Sequence, residues 1–121
     1  MGHLKCYLVV GFVLLSGTAQ AADRLPKDML GAWATEPESC ANVHSEVRIT
    51  VEPKTILYYE VAQTVRKVTR MRDGFLRVRG HSVDLDGKSP STIEVKLDGG
   101  KLVFGRTDGQ VYHRCPKESA K

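Results

Sequence analysis

The chain reads as an all-β protein, an antiparallel up-and-down barrel of about eight strands, and three observations predict it. From Val47 onward apolar and polar residues alternate with a period of two, the pattern of strands with one dry face and one wet face. Turn residues punctuate that alternation roughly every 8 to 12 residues, the spacing of a β-barrel or β-sandwich. Helical periodicity is nearly absent after Glu46. Successive hairpins without long crossovers favour a meander, and closing it removes the edges that would otherwise pair with other chains. A sandwich is the alternative.

Residues 1–21 precede that domain and read as a cleaved signal peptide. Lys5 is basic, Tyr7 to Leu15 is an apolar run too short to span a bilayer, and Ala19-Gln20-Ala21 has the small-x-small cleavage pattern. Cleavage after Ala21 leaves one domain, 22–121, of about 100 residues. It is expected in the periplasm or secreted, and monomeric. Cys6 is too early and Cys40 too late to be lipidated at the cleavage site. No later apolar run approaches the ~20 residues of a membrane helix, so the mature chain is not expected to span a bilayer.

The elements follow in order. Leu25 to Leu30, with Pro26 inside it, suits one short helical turn at a barrel end. Gly31 to Thr35 is the first strand. Thr35 to Glu46 is the longest irregular segment and contains Cys40. Val47 to Val51 and Thr55 to Val61 form a hairpin across Pro53-Lys54. Val65 to Met71 and Phe75 to Ser82 flank the turn signal Arg72-Asp73-Gly74. Asp84 to Pro90 reads as a polar loop. Ile93, Val95 and Leu97 then alternate with Thr92, Glu94 and Lys96; Asp98-Gly99-Gly100 turns into Leu102 to Gly105, and Thr107-Asp108-Gly109 into Val111 to Cys115.

Removing the leader leaves Cys40 and Cys115, and an oxidising compartment predicts a disulfide between them. Closing that loop of about 75 residues is expected to stabilise the fold by about 4 to 4.5 kcal/mol.

Chemistry-bearing patterns are sparse. His44, His81 and His113 lie on separate segments with no metal-ligand spacing, and Asp84-Leu85-Asp86-Gly87 lacks the later acidic ligands of a calcium loop. No Gly-x-Ser-x-Gly elbow is present, and Glu36 and Glu38 read as exposed loop charge. The expectation is a non-enzyme without metal or cofactor. The formal charge is a mild +4, but Arg66, Lys67, Arg70, Arg72, Arg77 and Arg79 crowd one stretch. Even spacing places Arg66, Arg70 and Arg72 on one face and Arg77 and Arg79 on a face of the adjoining strand, which a hairpin would bring together. Such a surface is either a solvated outer face or a site for an anionic partner. Nucleic acid is disfavoured, because no aromatic residues interleave with the arginines. Tyr58 or Tyr59, with Phe75, Phe104 and Tyr112, can pack the core or line a cavity, and an eight-stranded barrel leaves room for one small ligand at most.

Gly31-Ala32-Trp33, followed by a meander ending near Arg114, resembles the lipocalin-like or calycin architecture. In that architecture an indole lies across the barrel floor and an arginine of the last strand packs over it. The resemblance implies structural roles for Trp33 and Arg114, with a cation–π contact of about 1 kcal/mol. Leu25-Pro26 through Leu30-Gly31-Ala32-Trp33 is also similar to the start of the bacterial Inh-type metalloprotease inhibitors, exported barrels that push an N-terminal trunk into a protease cleft. That likeness implies a trunk at Ala22 to Lys27, with Arg24, Leu25, Pro26 and Lys27 as contacts. The family's disulfide, however, joins cysteines closer in sequence than Cys40 and Cys115.

The functional expectation is therefore an exported binding or inhibitor module. It would contact an envelope or secreted protein, or an anionic surface, through the trunk, the long loop and the basic hairpin. The alternative is a carrier of a small apolar ligand.

Overall fold

The computed structural model describes residues 21–106 and 109–117. The expected signal peptide through Gln20 and the Thr107-Asp108 part of the last expected turn lie outside the described residues. Among the described residues there are ten strands: β1 (Ala21–Ala22), β2 (Gly31–Ala34), β3 (Arg48–Glu52), β4 (Thr55–Tyr58), β5 (Val61–Thr64), β6 (Lys67–Arg70), β7 (Leu76–Asp84), β8 (Gly87–Asp98), β9 (Lys101–Phe104) and β10 (Gln110–Arg114). All pair antiparallel, and β7 pairs with β8 to close the wall. Because β5 and β6 are two halves of one bent strand and β1 is a short addition to the edge of β6, the wall is a closed eight-stranded barrel. It is a barrel, not a sandwich, and is compatible with a lipocalin-like fold.

The inner face carries the alternating residues of the sequence pattern. Trp33, Ile49, Val51, Ile56, Val78, Val95 and Leu102 are buried in one cluster. One barrel end is sealed. The Leu25 N–H donates to the Pro53 carbonyl at 2.8 Å, and a 3₁₀ turn at Lys27–Met29 drops Leu25 and Met29 into the core. The Trp33 indole, 0% exposed, donates through Nε1 to the Met29 carbonyl at 2.9 Å. The Arg114 guanidinium lies 4.2 Å from the Trp33 ring centroid and donates to the Leu30 carbonyl at 2.9 Å and to the Asp28 carbonyl. The pairing implied by Gly31-Ala32-Trp33 and Arg114 is thus present, and it fixes the N-terminal turn as a plug.

Ala32 and Ala34 point the other way. Their small side chains let a second 3₁₀ turn, Pro37–Ala41, pack on the outer face of β2, where Ala32, Ala34, Cys40 and Cys115 form a small buried cluster. The Cys40–Cys115 disulfide is formed. Buried Arg48 holds the same segment by donating from Nε to the Cys40 carbonyl at 3.0 Å and from Nη1 to Thr50 Oγ1 at 3.3 Å.

Three expectations are corrected. Thr55 to Val61 is not one strand: the chain reverses at Tyr59-Glu60, Tyr58 pairs with Val61, and Glu60 adopts φ 60° without any glycine or proline to announce the turn. Asp84 to Pro90 is not a loop, since β7 and β8 pair through it and only Leu85-Asp86 forms the tip. There Asp84 Oδ1 accepts the Asp86 N–H at 2.8 Å. Pro90 is tolerated for a specific reason. Its partner His81 turns both backbone groups toward Thr64, so the pair is not hydrogen-bonded and Pro90 presents its missing N–H to an edge beyond the reach of β9.

The third correction concerns the arginines. Ala62 faces Val83 and Gln63 faces Ser82, whereas Lys67 faces Arg79 and Val68 faces Val78, a register shift of one residue. The extra residue is a β-bulge at Val65-Arg66 opposite Gly80. Buried Val65 and Val68 are therefore three apart, with exposed Arg66 and Lys67 between them. Arg66 joins Lys67 on the outer face. Arg70 pairs with Leu76, on the parity of the inward Val68 and Val78, at the barrel rim; Arg72 sits in the turn. The three do not share a face.

Candidate functional site

The two barrel ends differ. The sealed end carries the N-terminal plug and the turns at Pro53-Lys54 and Gly99-Gly100; the other carries Tyr59-Glu60, the β7–β8 tip, Gly105 and Gly109. At this second end a depression of about 440 Å³ opens between β4, β8, β9 and β10. Tyr58, Ile93, Phe104 and Tyr112 line it, all at inward positions of the alternation, and Gln110 brings an amide to its rim. The rings meet edge to face: Tyr58 and Phe104 at 6.4 Å and 65°, Phe104 and Tyr112 at 5.3 Å and 78°. The rim continues over Thr92, Glu94 and Gly105, where β9 has ended and β8 runs on.

Burial pushes the Tyr58 phenol well above the usual tyrosine range, with a smaller push from Tyr112; burial raises Tyr112 as well. A raised folded-state value means that the native state keeps a proton which an unfolded tyrosine releases near pH ~10. Stability from this source is complete below about pH 10 and falls as pH rises further. Urea unfolding across the alkaline range should show that decline. Tyr58→Phe, which keeps the ring and removes the phenol, should flatten it, and an unchanged alkaline slope would refute the assignment.

Tyr58 is the inward member of the tyrosine pair, while Tyr59 is exposed in the turn. Phe75 is not at the mouth. It lies by the β6–β7 turn, covered by Arg106 at 4.8 Å and Lys96 at 5.7 Å from its ring centroid. The rim residues Gln110, Thr92 and Glu94 escaped sequence reasoning, because their role depends on where β9 stops.

The other expected site residues are spread over the wall. Arg24 and Lys27 are exposed, Pro26 is half-buried, and Leu25 is a core residue at 3% exposure. Arg66, Arg70, Arg72 and Arg79 are exposed and Arg77 is half-buried. The β6–β7 register sets Lys67 opposite Arg79 and Thr69 opposite Arg77, so the basic rows do meet. Among the described residues no three His, Cys, Asp or Glu side chains gather as metal ligands, and no helix is long and apolar enough to cross a membrane. No protein-family model, curated protein or solved structure matches this chain.

Proposed function

We propose that the protein is an exported, non-enzymatic binding module that holds one small, largely apolar, ring-containing molecule at its barrel mouth. The observation that carries this reading is the contrast between the two ends. One is plugged by Trp33, Met29 and Leu25, and the other leaves Tyr58, Phe104 and Tyr112 around an open depression of about 440 Å³. That volume lies within the range of small-molecule sites, which are mostly apolar with a few polar groups to orient the ligand. Here the polar groups are the two phenols and the Gln110 amide. The disulfide fits an extracellular or periplasmic setting.

Titration with the neutral fluorophore N-phenyl-1-naphthylamine tests it. One equivalent should bind saturably, and Phe104→Ala should weaken binding at least tenfold, whereas Lys101→Ala beside the Gly99-Gly100 turn of the sealed end should not. Native mass spectrometry of protein from its own host should show a stoichiometric small-molecule adduct. Absence of both saturable binding and an adduct would refute the carrier reading.

A second reading is contact with another envelope or secreted protein, including protease inhibition through Ala22 to Lys27. Exposed Arg24 and Lys27 favour it. Against a freely inserting trunk stands Leu25, whose side chain is in the core and whose N–H is bonded to Pro53.

A further inference from the structure

We propose that the outward face of β6 and β7 docks on the surface of a bilayer rich in anionic phospholipid. Lys67 stands directly opposite Arg79, Arg77 follows two residues along β7, and the bulge delivers Arg66 beside Lys67. Strand spacing sets these cations roughly 5 Å apart across the pair and about 7 Å apart along it. The nearby acids are engaged elsewhere: Asp23 pairs with Arg24 and Lys54, and Asp73 and Glu94 are both held by Arg106. Among the described residues none of the four cations has an ion-pair partner. Like charges facing each other across a strand pair destabilise a sheet, and a layer of phosphates relieves that repulsion. Three of the four are arginines, whose planar fork matches phosphate.

The surface chemistry favours lipid over the other polyanions. A protein interface is anchored by buried aromatic groups and a single-stranded nucleic acid by stacking rings. Neither feature interrupts this patch, whose outward neighbours are Thr69, Thr92 and Glu94, the last opposite Arg77 and ion-paired with Arg106.

Each basic residue near an anionic leaflet raises binding about fivefold, and salt screens the effect. Sedimentation with phosphatidylcholine vesicles, with and without phosphatidylglycerol, tests the proposal. The protein should bind only the phosphatidylglycerol vesicles and be released by high salt. The double variant Lys67→Gln/Arg79→Gln should bind about 25-fold more weakly, with its unfolding midpoint checked to exclude misfolding. Lys101→Gln/Lys117→Gln, which removes the same net charge elsewhere, should change binding far less. Failure to bind phosphatidylglycerol vesicles would overturn the proposal. So would equal losses in the two double variants, or tighter binding to single-stranded DNA at the same salt. Phe104→Ala should leave vesicle binding intact, so this outcome is independent of the barrel mouth.

Discussion

Gly80→Ala is expected to lower folding stability by about 3 to 5 kcal/mol, enough to leave a small domain largely unfolded. The reason lies in the bulge. At Gly80 the β5–β6 strand carries one residue too many, and the backbone of Thr64 passes so close that a Cβ would overlap its carbonyl group. Ordinary overpacking costs about 1 to 3 kcal/mol because a neighbouring side chain can turn away. A backbone carbonyl cannot. The same place is fastened on both sides: Thr64 Oγ1 accepts the His81 N–H at 2.9 Å and donates to the His81 carbonyl at 3.3 Å, and the Arg66 N–H donates to the Arg79 carbonyl at 2.8 Å. Making room for a methyl group would break these bonds or shift the register of the arginine-bearing strand. Gly99→Ala is the comparison. Gly99 has φ 58° with open space around it, so only the conformational penalty of about 1 kcal/mol should appear. Urea unfolding of the two variants beside the parent decides the matter, and equal midpoints would show that the bulge can slide.

Much of the wall was legible because period-two alternation is imposed by burial itself. Ile93, Val95 and Leu97 face inward as their spacing requires, and Gly74 makes the β6–β7 turn with φ 90°. Cys40 with Cys115 was legible because two cysteines have few alternative uses in a chain read as exported, and Trp33 with Arg114 because Gly31-Ala32-Trp33 resembles the lipocalin-like architecture. What escaped has a common cause: a local signal whose meaning is set by a distant strand. Pro90 and Gly87 look like loop residues until it is seen that β8 has a free edge there. Glu60 turns the chain because Tyr58 and Val61 must pair, not because its own type prefers a positive φ. Val65 and Val68, three apart in an otherwise alternating run, together with a glycine in the middle of the next strand, are the traces that a bulge leaves in sequence. The mouth was half legible. Phe104 and Tyr112 were candidates, but Phe75 carries the same apolar signal and is claimed by Arg106 and Lys96 outside the barrel.

Removing the disulfide should have an effect of similar size by a different route. Cys40 and Cys115 are separated by 75 positions, and releasing a loop of that length returns to the unfolded chain entropy equivalent to about 4.5 kcal/mol. Native-state losses reinforce it at the same place. The 3₁₀ turn Pro37–Ala41 covers Ala32 and Ala34 with few other anchors, chiefly the Arg48 bond to the Cys40 carbonyl, and buried Arg48 depends on that carbonyl in turn. Cys40→Ala/Cys115→Ala is therefore expected to lose about 4 kcal/mol and to open the 35–46 segment first. Its exposed stretch Ala41 to His44 should then be cut by protease well before the barrel wall. Because Trp33 is held from inside by Met29 and Arg114, its fluorescence should report the wall separately from the loop. If the double variant retained parental stability, the closing strand would be held by the β2–β10 and β9–β10 ladders alone. If Trp33 became exposed at the same denaturant concentration at which the loop is cut, the loop and the barrel would form one cooperative unit rather than two.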